Sequence, residues 1–135
     1  GYLDTNYTGK AQEAVKALDH LDFLFVHVEA PDEASHNGNI EEKIQAIEAV
    51  DEKVIGTLLK GMDRFADYRI MVVSDHFTPI SKRTHTGEPA PFAWAGKWDL
   101  RKGMQSAGFF EVSAKESGLI FERGYELIHE FLGLP

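Results

Sequence analysis

The sequence predicts an α/β domain built on a mostly parallel sheet. Two observations carry this. Amphipathic helical stretches alternate with short apolar runs, and the connections between those runs are long enough to be crossovers, which join parallel strands. The polar residues able to do chemistry also gather just beyond the apolar runs, where α/β sheets place their sites. At 135 residues, one domain with a real hydrophobic core is the natural expectation.

Residues 1–8 are turn-rich. Thr8 is placed to cap a first helix whose apolar positions Ala11, Ala14, Val15 and Leu18 recur at helical spacing. Leu21 to Val28 is apolar, aromatic and β-branched without a helical stripe, and reads as a short buried strand. After the turn at Pro31, Asn39 opens the longest helix, with Glu42 three residues on in the reciprocal capping pattern. Ile40, Ile44, Ile47, Val54, Leu58 and Met62 form its apolar stripe, and Gly56 and Gly61 mark where it ends or kinks. Tyr68 to Ser74 is a second buried strand, and Phe92 to Ala95 a third, short one. Between them, residues 77–90 form a polar loop too long to be a mere connector. Lys97 to Gly108 carries no clear pattern. Ser113 to Glu116 reads as one helical turn, and Glu122 to Leu132 as a closing amphipathic helix.

Composition excludes several function classes. The formal charge of −8 argues against a general nucleic-acid binder, which needs a basic face. It also makes an anionic substrate puzzling unless bound cations supply local positive charge. No apolar run approaches the ~20 residues of a membrane span, and no signal peptide opens the chain. With no cysteine there are no disulfides or thiolate ligands, a composition compatible with a cytoplasmic setting. The start at Gly1, without an initiator Met, reads as a piece of a longer chain.

Three clusters supply two carboxylates and three imidazoles. Asp32 and His36 lie four residues apart and can reach one ion from the same turn. Asp75 and His76 follow the second strand at once; on an extended backbone their side chains would diverge, whereas a bend could bring them to one ion or to neighbouring ions. His85, in the long loop, could close the first set. Oxygen and nitrogen donors of this kind suit Mn²⁺, Zn²⁺, Fe²⁺ or Co²⁺. Each pair alone has an ordinary reading, Asp32 as a helix cap and Asp75-His76 as turn residues. Recurrence of the pattern favours a metal site. Glu29 and Glu33 read either as groups orienting a ligand imidazole or as solvated loop acids. Lys82 and Arg83 read either as contacts for an anionic substrate or as solvated loop charges. His27 reads as a packed strand residue, Trp94 and Trp98 as core and edge packing, and His20 and His129 as helix residues without a ligand partner. No Gly-rich phosphate cradle is present.

The runs His27-Val-Glu-Ala-Pro-Asp-Glu-Ala-Ser-His36, Val73-Ser-Asp-His76 and His85-Thr-Gly-Glu-Pro-Ala-Pro-Phe92 resemble cofactor-independent phosphoglycerate mutase of the archaeal-type branch, within the alkaline phosphatase superfamily. Gly1 to Lys10 is similar to the segment that precedes the metal loop in that branch, so the resemblance covers essentially the whole chain. It implies a three-layer α/β/α alkaline-phosphatase-like core. That core would be incomplete here, with residues 1–135 as a single domain forming its carboxyl-terminal portion. It also implies two divalent ions, manganese or zinc, one held by Asp32, His36 and His85 and the other by Asp75 and His76. The phosphorylated serine and an early aspartate of the family have no counterpart here. Ser35, Ser74 and Ser81 lie inside or beside the ligand motifs, away from the nucleophile position, so no catalytic residue is assigned in this chain.

The activity implied for the parent is interconversion of 3-phosphoglycerate and 2-phosphoglycerate through a phosphoserine, with a phosphorylated three-carbon acid as substrate and the fragment alone inactive. The alternatives are another phosphotransferase or phosphomonoesterase of the same superfamily, for example homoserine kinase-like, or a non-catalytic metal-binding module. An incomplete sheet edge makes self-association plausible.

Overall fold

The computed structural model describes residues 1–103 and 108–134, as two compact units. The first comprises residues 1–66 and 78–86, the second residues 67–77 and 87–135.

The first unit is helical. Helix α1 (Tyr7–Ala17) is capped by Asn6, whose Oδ1 accepts from the Gly9 N–H at 2.8 Å. Thr8, expected as the cap, lies inside the helix, because the asparagine amide two residues earlier reaches the orphan N–H first. Helix α2 (Ala30–His36) follows, with Pro31 in its first turn. Next comes α3 (Ile40–Ala49), capped by Asn39, whose Oδ1 accepts from Glu42 N–H at 3.1 Å. The reciprocal half of the expected pattern is replaced, since the Asn39 N–H already donates to the Ala34 carbonyl. Each such cap contributes about 1 kcal/mol.

Helix α3 does not stop at its end. It widens into a π-helical segment, Val50–Ile55, and resumes as α4 (Gly56–Met62). The irregularity therefore runs up to Gly56, and the helix ends at Met62, one residue past Gly61, close to where the sequence expects it to end or kink. A Cβ at Gly61 would lie 2.6 Å from Val15 Cγ2, so glycine there lets α4 approach α1 closely. The core is correspondingly fine-grained: Tyr7, Ala11, Ala14, Ala30, Ala34, Ala46, Val54, Leu58 and Met62 are buried. The expected stripe divides at the π segment. Val54, Leu58 and Met62 are buried, whereas Ile40, Ile44 and Ile47 are exposed. A wider turn advances each residue by less than an α turn, leaving the two halves about a quarter turn out of phase.

Leu21 to Val28 differs most from expectation. It forms neither helix nor ladder, and Phe25 is 70 % exposed. A buried strand needs paired edges and covered faces, and the described residues supply no ladder partner for this one. His27, expected to pack, has a half-exposed ring stacked on Phe25, and its carbonyl accepts from Lys10 Nζ at 3.0 Å.

The second unit holds the paired strands, β1 (Arg69–Val73) and β2 (Phe92–Gly96). Their register runs from Arg69 opposite Gly96 to Val73 opposite Phe92, antiparallel. The parallel pairing expected between successive strands is thus absent from the described residues. The connection between β1 and β2 turns the chain back alongside itself, and the other strand-like run stays unpaired. Trp94 stacks on Phe92 with centroids 5.5 Å apart, and Phe121 meets Phe92 edge-on at 5.6 Å. Helix α5 (Lys97–Lys102) fills part of the unassigned stretch, whose residues 104–107 lie outside the described residues. Trp98 on α5 is exposed, with the Arg101 guanidinium 5.3 Å from its ring. Helix α6 (Glu111–Glu116) extends the expected turn, and α7 (Glu126–Leu132) begins one turn later than expected. Arg69 Nη1 donates to the Phe131 carbonyl at 2.7 Å, tying α7 to β1.

Candidate metal centre

Helix α2 organises the first unit's site. Asp32 and His36 lie on one face because i and i+4 share a face of an α-helix. The sequence had suggested a loop here, but Pro31 in the first turn and two acids behind it are start signals that outweigh the turn reading. Ser35, between them, is fully buried, and its hydroxyl donates to the Pro31 carbonyl at 2.7 Å. That hydroxyl is structural.

Residues 78–86 bring the third donor. His85 Nε2 lies 3.2 Å from His36 Nε2 and 3.7 Å from Asp32 Oδ1, and His36 Nε2 lies 3.4 Å from Asp32 Oδ2. Two ligand atoms each about 2.1 Å from a shared ion sit ~3.4 Å apart in a tetrahedral arrangement and ~3.0 Å apart in an octahedral one. The 3.2 and 3.4 Å separations match these values, while the 3.7 Å one is longer and runs to the other oxygen of Asp32. One carboxylate and two imidazoles facing one another at such spacing fit a divalent ion.

The backbone sets which imidazole nitrogen is available. His36 Nδ1 lies 2.9 Å from the Arg83 carbonyl, which can only accept. The neutral ring therefore carries its proton on Nδ1 and keeps the Nε2 lone pair for the shared point. Arg83 adopts φ 53°, the one non-glycine with positive φ among the described residues. Its guanidinium packs over Gly38, where a Cβ would lie 2.4 Å from Arg83 Nε. The sequence leaves the Arg83 side chain open between an anion contact and a solvated loop charge; it is the carbonyl that meets His36. Lys82 is exposed. The Thr78 hydroxyl donates to Asp32 Oδ1, and Lys43 Nζ donates to the Thr78 carbonyl at 3.1 Å. No sequence signal marked Thr78.

Glu29 Oε1 lies 3.7 Å from the His27 imidazole Nε2. Glu33 lines a surface hollow with Asp4, Asn37 and Glu42.

In the second unit, Asp75 and His76 follow β1 in a bend. The bend resolves their adjacency. His76 Nε2 lies 3.5 Å from Asp75 Oδ2, so the two side chains converge rather than diverge, and the His76 N–H donates to Asp75 Oδ1 at 3.1 Å.

Residues 2–119 match the family described as the Metalloenzyme superfamily. This chain belongs to that superfamily. A probable 2,3-bisphosphoglycerate-independent phosphoglycerate mutase of Geobacter sulfurreducens is 45 % identical over 98 % of this chain and 33 % of its own length. A 2,3-bisphosphoglycerate-independent phosphoglycerate mutase of Methanothermobacter thermautotrophicus is 53 % identical over 88 % of this chain and 29 % of its own. The chain thus spans about a third of the length of these curated relatives. Among solved structures, the PH0037 protein of Pyrococcus horikoshii superposes with a TM-score of 0.83 at 29 % identity, over 98 % of this chain and 39 % of that one. The fold is the alkaline-phosphatase-like α/β fold expected from the sequence, present here in part. Among the described residues no helix is long and apolar enough to cross a membrane.

Proposed function

We propose that this chain is the carboxyl-terminal, metal-binding portion of a phosphoglycerate mutase core that interconverts 3-phosphoglycerate and 2-phosphoglycerate. The observation that carries the reading is the convergence of Asp32, His36 and His85 at 3.2–3.7 Å. The names of the relatives supply the substrate class. In this reading Asp32, His36 and His85 hold one divalent ion, manganese or zinc, and Asp75 with His76 contribute to a second.

An ion so held supplies positive charge against phosphoryl oxygens and lowers the pKa of a hydroxyl bound beside it. The chain's own residues do the rest. Asp32 is the one charged member of its trio, so a dication there keeps a net positive charge and attracts an anionic substrate to a chain of net charge −8. The Arg83 carbonyl holds His36 in the tautomer that offers Nε2. Asp32 and His36 are about one-third exposed, which leaves the site open to a substrate. Ser35, inside the ligand motif, has its hydroxyl committed to the Pro31 carbonyl. Acidic charge supports a parent that does not bind nucleic acid, and absence of cysteine fits a cytoplasmic enzyme.

The test is the full-length parent assayed for 3-phosphoglycerate to 2-phosphoglycerate conversion with Mn²⁺ or Zn²⁺, beside Asp32→Ala and His85→Ala. Conversion that needs the metal and is lost in both variants is expected. A parent that only hydrolyses phosphoglycerate, or an Asp32→Ala variant with undiminished mutase activity, would overturn the assignment.

A further inference from the structure

Asp32 offers two carboxylate oxygens, and the structure treats them differently. Oδ2 faces His36 Nε2 at 3.4 Å, while Oδ1 stands farther from the imidazoles, 3.7 Å from His85 Nε2, and accepts the Thr78 hydroxyl. Thr78 is 6 % exposed, and Lys43 Nζ grips its carbonyl at 3.1 Å, so the hydroxyl is held by a buried and tethered residue. A hydrogen bond to an ionised carboxylate is among the stronger kinds and fixes the plane of the group. We propose that Thr78 is a positioning and specificity-determining residue that holds Asp32 to one-oxygen ligation and thereby sets which divalent ion the site prefers.

The proposal rests on the metal reading of Asp32, His36 and His85 and adds a chemical consequence to it. One carboxylate oxygen plus two imidazole nitrogens is a compact donor set suited to small, nitrogen-preferring Zn²⁺. With Oδ1 released from Thr78, both carboxylate oxygens become available to one ion. Chelation by a carboxylate suits ions that take more oxygen ligands at higher coordination number, so the change favours Mn²⁺ over Zn²⁺. The hydroxyl touches neither substrate nor ion in this scheme; it acts through Asp32.

The experiment is calorimetric titration of the full chain with Zn²⁺ and with Mn²⁺, for the parent sequence, Thr78→Val, Thr78→Ser and Asp32→Ala. Thr78→Val should weaken Zn²⁺ binding by roughly 10–100-fold, the usual cost of losing a partner of a metal ligand, and weaken Mn²⁺ binding less. The ratio of the two affinities therefore narrows. Thr78→Ser, which keeps the hydroxyl, should restore both the affinity and the ratio, a rescue that a purely structural role for the methyl group would not give. Thr78→Ala removes the hydroxyl without placing a methyl against the carboxylate, and should narrow the ratio in the same way if the valine variant fails to fold. An unchanged ratio in the hydroxyl-free variants, or a serine variant as defective as valine, would overturn the proposal. Asp32→Ala separates the two levels. Loss of Zn²⁺ binding there with an unchanged Thr78→Val refutes the role of Thr78 alone, whereas wild-type binding by Asp32→Ala refutes the site itself.

Discussion

Two glycines of one helix should respond oppositely to the same substitution. In Gly56→Ala the new Cβ would find only the Asp51 carbonyl, at 3.7 Å, an ordinary contact. Alanine there gains about 1 kcal/mol of helix propensity at no packing cost. In Gly61→Ala the same propensity gain meets Val15 Cγ2 at 2.6 Å and Cγ1 at 2.8 Å. Such contacts force α1 and α4 apart or push Val15 off its rotamer, and β-branched valine has little room to yield. Overpacking of this kind costs roughly 1–3 kcal/mol, which outweighs the propensity gain at most of that range. The expected outcome in urea denaturation is a higher midpoint for Gly56→Ala and a lower one for Gly61→Ala, about 2 kcal/mol apart. Val15→Ala should relieve the clash, so the double variant Val15→Ala/Gly61→Ala should show favourable coupling in a double-mutant cycle. A Gly61→Ala variant as stable as Gly56→Ala would refute the close α1–α4 approach.

Two further outcomes follow from burial and charge. Tyr7 is 5 % exposed, its hydroxyl has no hydrogen-bond partner among the described residues, and burial, then the nearby Asp4 carboxylate, raises its pKa. A raised folded-state pKa means the folded chain holds the proton more tightly. That stability is fully present below the unfolded value near 10 and is lost as pH rises through the folded value. Tyr7→Phe should therefore flatten the alkaline end of the stability profile, read as the difference between the two proteins' urea midpoints; identical alkaline slopes would contradict the burial argument. Divalent metal at 100 times its dissociation constant should stabilise the chain by about 2.7 kcal/mol, or roughly 10 °C in Tm, with no rise in Asp32→Ala. A melting curve indifferent to Mn²⁺ and Zn²⁺ would count against a competent site.

Much of this was legible residue by residue. Asn39 announced its helix because a cap is a local event, one side chain meeting one N–H three residues on. Asp32, His36 and His85 were legible as candidate donors because carboxylate and imidazole recur just beyond the apolar runs, with Asp32 and His36 at helical spacing. Features that depend on non-local partners were not legible. Leu21 to Val28 has strand composition, yet composition cannot supply a neighbour to pair with. The divided isoleucine stripe needed knowledge of a wide turn that no residue type encodes. Thr78 and the Arg83 carbonyl escaped notice for a related reason: a hydroxyl or a peptide oxygen orienting a ligand is chemically ordinary until folding sets it beside one.

The wide turn at Val50–Ile55 also bears on how this sequence can change over time. It acts as a phase shifter within one continuous rod, so the isoleucines before it and Val54, Leu58 and Met62 after it answer to different surroundings. Substitutions on either side should accumulate independently, since coupling is strong only between residues that share partners. Deleting one residue within the segment would restore an α turn and still leave the two faces about a quarter turn apart, because the extra residue is what the wide turn absorbs.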